Sequence, residues 1–290
     1  MGVVLVAGVT GNIGSRVARK LAATGVEVRG VARYPSAFEG EGVDLLQADL
    51  TDTSAADRAL EGVDSVYLTL PEAGENPLGL ESAVATNVVR AAAEAGVRHL
   101  VAQTAVHADR GDTGARILDN KHPVEKAIED SGLGFTILRP GWFLQNLFGA
   151  RGYLEQGMFA MPWPVDRAWA GTSVEDVAEA AVAFLEQGPA NAAFDVHIPG
   201  GVTGAGICEA AGAVLGRDVA YHEFPGPTRE FVEPFPLSPA LKDLYAELFD
   251  YFRRVDYQGE PTRIVSALPG FEATSLEAFL REELFAAAQS

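Results

Sequence analysis

Two hydrophobic rhythms alternate along the first half of the chain. Short apolar runs, typical of strands buried on both faces, are separated by segments whose apolar positions recur three and four apart, as in amphipathic helices. The pattern predicts strands at Val3–Ala7, Val26–Ala32, Val43–Leu50, 64–70 ("DSVYLTL"), 98–106 ("RHLVAQTAV") and 134–140 ("GFTILRP"). Between them it predicts helices at Gly14–Thr24, Thr53–Leu60, 80–97 and Pro123–Ser131. Gly96 suits a left-handed helix end, and Pro71 closes the fourth strand. Six strands joined by helical crossovers make a doubly wound parallel sheet.

After Pro140 the rhythm breaks. Aromatics and prolines crowd together in "GWFLQNLFGARGYLEQGMFAMPWPVDRAWAG" before a helix resumes at 173–188, with Ser173 as its N-cap. Further strands are expected at 193–200 and 218–226, and helices at 204–216, 238–255 and 275–288. The expected organisation is therefore α/β. A Rossmann-type domain covers residues 1–150, with a strand and helix from about 168–187 returning to it. Residues 151–290 form a small, interwoven α/β lobe over the C-terminal edge of the sheet, where a substrate binds in such folds.

Composition narrows the function. Hydrophobic residues make up 48% and charged ones 21% of 290 residues, as in a globular domain with a full core. A net charge of -18 argues against a nucleic-acid groove or an anionic membrane surface, both of which need clustered Lys and Arg. Cys208, the only cysteine, sits in a helical pattern and reads as a buried inert thiol, so no internal disulfide is expected. No apolar stretch approaches the ~20 residues that span a bilayer, and no basic or cleavable segment precedes the first strand. The expected location is cytoplasmic, and the expected assembly a homodimer.

The stretch "VLVAGVTGNIGSRVARKLAATG" carries the strongest chemistry. Gly8, Gly11 and Gly14 lie three apart between a strand and a helix, where small residues let the turn approach a pyrophosphate. The helix N-terminus offers free N–H groups there, from Asn12 and Ile13 onward, and the side chains of Thr10 and Asn12 can add hydrogen bonds. The same glycines would also serve a tight turn and close helix packing. An NAD-selective site places a carboxylate at the end of the second strand, but this chain has Ala32 and Arg33 there. A guanidinium pairs with a 2′-phosphate, which favours NADPH over NADH; otherwise Arg33 is a solvated surface charge. Asp49 is placed either to accept from the adenine amino group or to cap the next helix, with Leu50 beside it. Thr69, Leu70 and Pro71 at the end of the fourth strand complete the expected cofactor contacts.

Together "GVTGNIGSRVARKL", "VRGVAR", "QADLTD", "EDSGLGFTILRPGWFLQN" and "SVEDVAEAAVAFL" resemble the NmrA-like branch of the atypical short-chain dehydrogenase/reductases. Within it the likeness is to NADPH-dependent quinone oxidoreductases and triphenylmethane-dye reductases. The resemblance implies a Rossmann-type domain with a small C-terminal lobe and a substrate cleft between them. It also implies either a reductase of quinones, dyes or enones or a regulator that senses the cofactor and turns nothing over. An epimerase or other internal-redox enzyme on the same fold is a further alternative.

Ordinary short-chain dehydrogenases use Ser and Tyr-x-x-x-Lys to exchange a proton with the substrate oxygen. The resemblance puts Thr104 at the serine position and Lys121 at the lysine, but Ile117 stands where the tyrosine would be. Reduction of a carbonyl develops a strongly basic alkoxide and calls for a positioned acid. Hydride addition to a quinone, an enone or a cationic dye leaves a stabilised or neutral product that solvent can protonate, so positioning supplies most of the effect. Lys121 is expected to hold the ribose or donate to the acceptor oxygen, and otherwise to be a solvated helix-start lysine. His107, just past the fifth strand, is a candidate acid or a structural histidine. Trp142, Phe143, Tyr153 and Trp163 are candidate flat walls for an aromatic acceptor, or else join the lobe to the sheet. No histidine–carboxylate spacing suggests a metal site.

Overall fold

The computed structural model describes residues 2–286. The front half runs β1 (Val4–Ala7), α1 (Asn12–Ala23), β2 (Val28–Ala32), β3 (Val43–Gln47), α2 (Thr53–Leu60), β4 (Ser65–Leu68), α3 (Pro77–Ala95) and β5 (His99–Gln103). It continues with α4 (Arg116–Asp119), α5 (Lys121–Glu129), β6 (Gly134–Pro140) and the short β7 (Trp142–Phe143). Then come α6 (Arg151–Glu155), β8 (Met158–Met161), β9 (Gly171–Thr172), α7 (Val174–Gln187) and β10 (Ala192–Val196). The rear is α8 (Gly204–Leu215), β11 (Ala220–Glu223), α9 (Thr228–Val232), α10 (Pro239–Arg254), α11 (Thr262–Ala267) and α12 (Leu276–Phe279). The last of these runs into a π-helical turn, Leu280–Leu284.

Seven strands, the six expected in the front half and β10, form the main sheet in the order β10-β6-β5-β4-β1-β2-β3, all parallel. All four residues of β1 and of β4 are buried, as expected of central strands covered by helices on both faces. Alternate side chains part to opposite faces. Val4 and Val6 join the core formed with α1 and α7, whereas Leu5 and Ala7 join the core under α2 and α3. The seventh strand corrects the expected return of the chain. The stretch that rejoins the sheet runs to Val196 as a helix followed by a strand, β10 pairing with β6 from Ala192↔Thr136 to Val196↔Pro140. The segment before α7 supplies only β9, which pairs with β7 outside the main sheet. Period-two spacing gave β10 its strand character but not its partner, because pairing across more than fifty residues has no local signal.

The lobe has its own core of aromatic side chains. Trp163 is fully buried against Trp169, Phe249 and Phe252 at centroid distances of 5.0, 5.3 and 5.4 Å. Phe252 stacks on Tyr257 at 4.4 Å. Each such pair adds about 0.5–1.5 kcal/mol beyond its buried area. Ser173 caps α7 by accepting from the Glu175 N–H, and Gly96 ends α3 at φ 73°. Cys208 is buried on α8, and burial pushes its thiol pKa up. The expected tail helix reaches residues 287 and 288, which lie outside the described residues. Among the described residues no helix is long and apolar enough to cross a membrane.

Candidate active site

The switch point of the sheet falls between β1 and β4, whose C-terminal ends carry Gly8–Gly14 and Thr69–Pro71. Gly8 has φ 74°, and a Cβ there would lie 2.7 Å from the Thr69 methyl, so the two loops touch. A Cβ on Gly14 would lie 2.3 Å from the Gly8 carbonyl oxygen, so only glycine lets α1 start so close to the strand. The Gly11 N–H donates to Gly8 O at 2.8 Å and closes the turn. Helices α2, α3, α7, α8 and α10 each have a side chain accepting from a first-turn N–H, from Asp52, Asn76, Ser173, Thr203 and Ser238. Helix α1 has Gly11 as its N-cap, no capping side chain and no acid in its first turn. Its free N–H groups and positive dipole end face the switch point with no partner among the described residues, which is what a pyrophosphate needs. The cradle fits a dinucleotide.

The other predicted cofactor positions lie along the same edge. Thr10 is exposed and Ile13 buried, while the Asn12 side chain is held by Arg16. Arg33 follows β2 directly, is exposed, and makes no ion pair among the described residues. Asp49 does not cap the helix after it. Its carboxylate accepts from Thr51 N (3.0 Å) and Thr51 Oγ1 (2.7 Å), bonds that hold its pKa below the usual carboxylate value, and Asp52 is the cap. Leu50 is buried beside it.

The polar candidates for the acceptor, Lys121, Thr104 and His107, are all already bonded. Lys121 starts α5 with only 5% of its side chain exposed, and Nζ donates to Glu81 Oε2 at 2.7 Å and Glu72 Oε1 at 3.2 Å. Burial lowers its pKa, but the two carboxylates outweigh this and the net direction is up, so it stays an ammonium. Asn120 donates to the other Glu81 oxygen at 2.9 Å. Thr104 is buried, and its hydroxyl donates to Glu125 Oε1 at 2.6 Å. Arg139 grips the same carboxylate with Nε and Nη2 at 2.9 and 2.6 Å. The serine position of the family pattern is thus occupied by a hydroxyl tied into a buried ion pair.

His107 is held at φ 66°, an uncommon conformation for a residue with a side chain. Its Nε2 lies 2.8 Å from Gln258 O, which can only accept, so Nε2 carries the proton. Nδ1 then accepts from the Tyr251 hydroxyl at 2.8 Å, while that oxygen itself accepts from Arg110. Burial lowers the His107 pKa, and the ring is a neutral joint between the sheet edge and α10. Of the two readings of His107, the structural one fits the geometry: both nitrogens are used.

Of the four aromatics, only Trp142 and Phe143 reach the sheet edge, on β7 directly after β6, and both are half-buried. Tyr153 sits on α6 and is 62% exposed, and Trp163 is wholly enclosed and presents no wall. Glu72, Glu81, Glu125 and Tyr245 were not among the expected residues. One signal was present: Glu81 is an acid on the otherwise apolar buried face of α3.

An α/β fold with a glycine cradle at its switch point defines a dinucleotide-binding protein. The NmrA-like family pattern matches residues 1–280, and the chain belongs to that family. It is 35% identical over 224 residues to a (4-alkanoyl-5-oxo-2,5-dihydrofuran-3-yl)methyl phosphate reductase of Streptomyces griseus, covering 76% of each chain. It is 31% identical over 224 residues to an NAD(P)H azoreductase of Xenophilus azovorans, covering 75% of this chain and 76% of that one. The fold matches the Escherichia coli NADPH-dependent quinone oxidoreductase solved with NADPH, with a TM-score of 0.81 at 22% identity over 97% of this chain and 99% of the other.

Proposed function

We propose that the protein is an NAD(P)H-dependent reductase that passes a hydride to a conjugated aromatic, quinone-like or enone acceptor, with NADPH preferred. The observation that carries the reading is the uncapped N-terminus of α1 above Gly8, Gly11 and Gly14, in a chain whose relatives are named as reductases. The first-turn N–H groups of α1 hold the pyrophosphate, and Arg33 takes the 2′-phosphate. Asp49 and Leu50 meet the adenine, and Thr69, Leu70 and Pro71 guide the chain of the cofactor toward the acceptor. Bound NADPH supplies the hydride.

What the protein's own residues do at the acceptor end follows from their commitments. Ile117 stands where the family's phenol would be, the Tyr245 phenol is bonded to Glu72, Thr104 is given to Glu125, and His107 is neutral with both nitrogens bonded. Trp142 and Phe143, consecutive on β7, point to opposite faces, Trp142 toward the lobe core and Phe143 toward the core under α1 and α7, so of the two it is Trp142 that offers the lobe side a flat apolar surface for an acceptor to stack on. Such a site lowers the barrier by orientation, and the acceptor must be one whose reduced form water can protonate. The test mixes protein and NADPH with a panel of quinones, azo dyes and enones and follows the reduced-nicotinamide absorbance. Oxidation of NADPH with at least one class is expected. No oxidation across the panel, together with tight binding that differs between oxidised and reduced cofactor, replaces this reading with a redox sensor.

A further inference from the structure

The cluster around Lys121 has a role beyond holding the sheet edge. Glu72 directly follows Thr69–Pro71, so it stands beside the loop that touches the glycine cradle. One of its oxygens takes Lys121 Nζ at 3.2 Å, and the other takes the Tyr245 hydroxyl, from α10 of the lobe, at 3.2 Å. Its carboxylate therefore joins the loop after β4 to α5 through Lys121 and to α10 through Tyr245, and is held in place from both sides. Glu81 and Lys121 are buried, whereas 35% of the Glu72 side chain is exposed, making it the charged member that meets solvent. Two carboxylates face one ammonium, with Asn120 and Tyr245 as neutral partners, so the cluster carries one net negative charge. The Tyr245 phenol stays protonated, its pKa raised well above the usual value by the Glu72 charge first and by burial second. Lys121 is occupied by Glu72 and Glu81 and has no charge left over for an anionic substituent.

We propose that Glu72 is the specificity-determining residue of the acceptor end: it admits neutral conjugated rings and turns away the same rings bearing an anionic group. This rests on the reductase reading above. A fixed carboxylate in a partly dry cleft repels a second anion at short range, an effect that weakens beyond about 8–10 Å in physiological salt. Discrimination of this kind comes from an unfavourable contact with the wrong ligand as much as from a good contact with the right one.

The experiment compares a naphthoquinone with the same ring carrying one sulfonate. Binding of each to the protein saturated with NADP+ is read by quenching of tryptophan fluorescence, and reduction of each is read with NADPH. Wild type is expected to favour the neutral ring by about fivefold or more in both Kd and kcat/KM. Glu72→Gln should reduce that ratio to below about twofold, mainly through the sulfonate, while Glu72→Asp retains it. Titration of NADP+ confirms that each variant is folded. A ratio unchanged in Glu72→Gln overturns the proposal while leaving the reductase reading intact. Discrimination in binding with no turnover of either ring overturns the reductase reading and keeps the charge filter. Neither binding nor turnover overturns both.

Discussion

The glycine cradle and the residues around Lys121 are built on opposite principles. The cradle between β1 and α1 is made of backbone, with its donors left open by a glycine N-cap and its shape fixed by Gly8 and Gly14. The acceptor end is made of side chains whose polar atoms are already bonded: Lys121 to two carboxylates, Thr104 to Glu125, His107 to Tyr251 and Gln258. One end waits for a ligand's charge, and the other presents packed, satisfied groups.

The sharpest way to break this contrast is to unpair the acceptor end. Lys121→Ala leaves Glu81 buried with only Asn120 as partner, and should cost about 3–5 kcal/mol in denaturant unfolding. A lysine that served catalysis alone would change turnover and leave stability near wild type. The next test acts on the cradle. Gly14→Ala drives a Cβ toward the Gly8 carbonyl and should cost about 1–3 kcal/mol, with NADPH binding weakened by about tenfold or more in a fluorescence titration.

The difference between the ends also explains what the sequence made legible. The cradle is a local object, three glycines within seven residues between a strand and a helix, and its placement needed no long-range information. The helix capped by Ser173 and the left-handed end at Gly96 were readable for the same reason. Lys121 and Thr104 were found by their positions in a family pattern and His107 by its place at the end of the fifth strand, but their partners lie far along the chain. Glu81 and Glu72 are 40 and 49 residues from Lys121, and Tyr251 is 144 residues from His107. A side chain's chemistry is decided by what folds against it, so their roles could not be read from neighbours in sequence. Trp163 fails in the same way: a cluster of aromatics signals burial without saying whether a ligand or the lobe's own core does the covering.

Two smaller effects sharpen each end. Arg33→Ala should raise the NADPH Kd about tenfold, the cost of one charge-assisted phosphate contact, and the NADH Kd by less than about twofold. Equal changes in the two would place Arg33 outside the phosphate site. Thr104→Val removes one neutral donor from the Glu125 carboxylate, which Arg139 still holds with two bonds. Stability should fall by about 1 kcal/mol in denaturant unfolding, with kcat changed by less than about twofold. A loss of a hundredfold or so in kcat would restore Thr104 to the acceptor.

The central claim is that hydride transfer here proceeds without a side-chain proton donor, and the pH profile of kcat for a quinone acceptor tests it most directly. The groups at that end are removed from the neutral range: His107 is held neutral by burial, Lys121 is held protonated by Glu72 and Glu81, and Tyr245 is held protonated by Glu72. With the hydride-transfer step limiting, kcat should be flat from about pH 7 to 9. A break near neutrality that disappears in His107→Gln would contradict the account and return His107 to the role of acid.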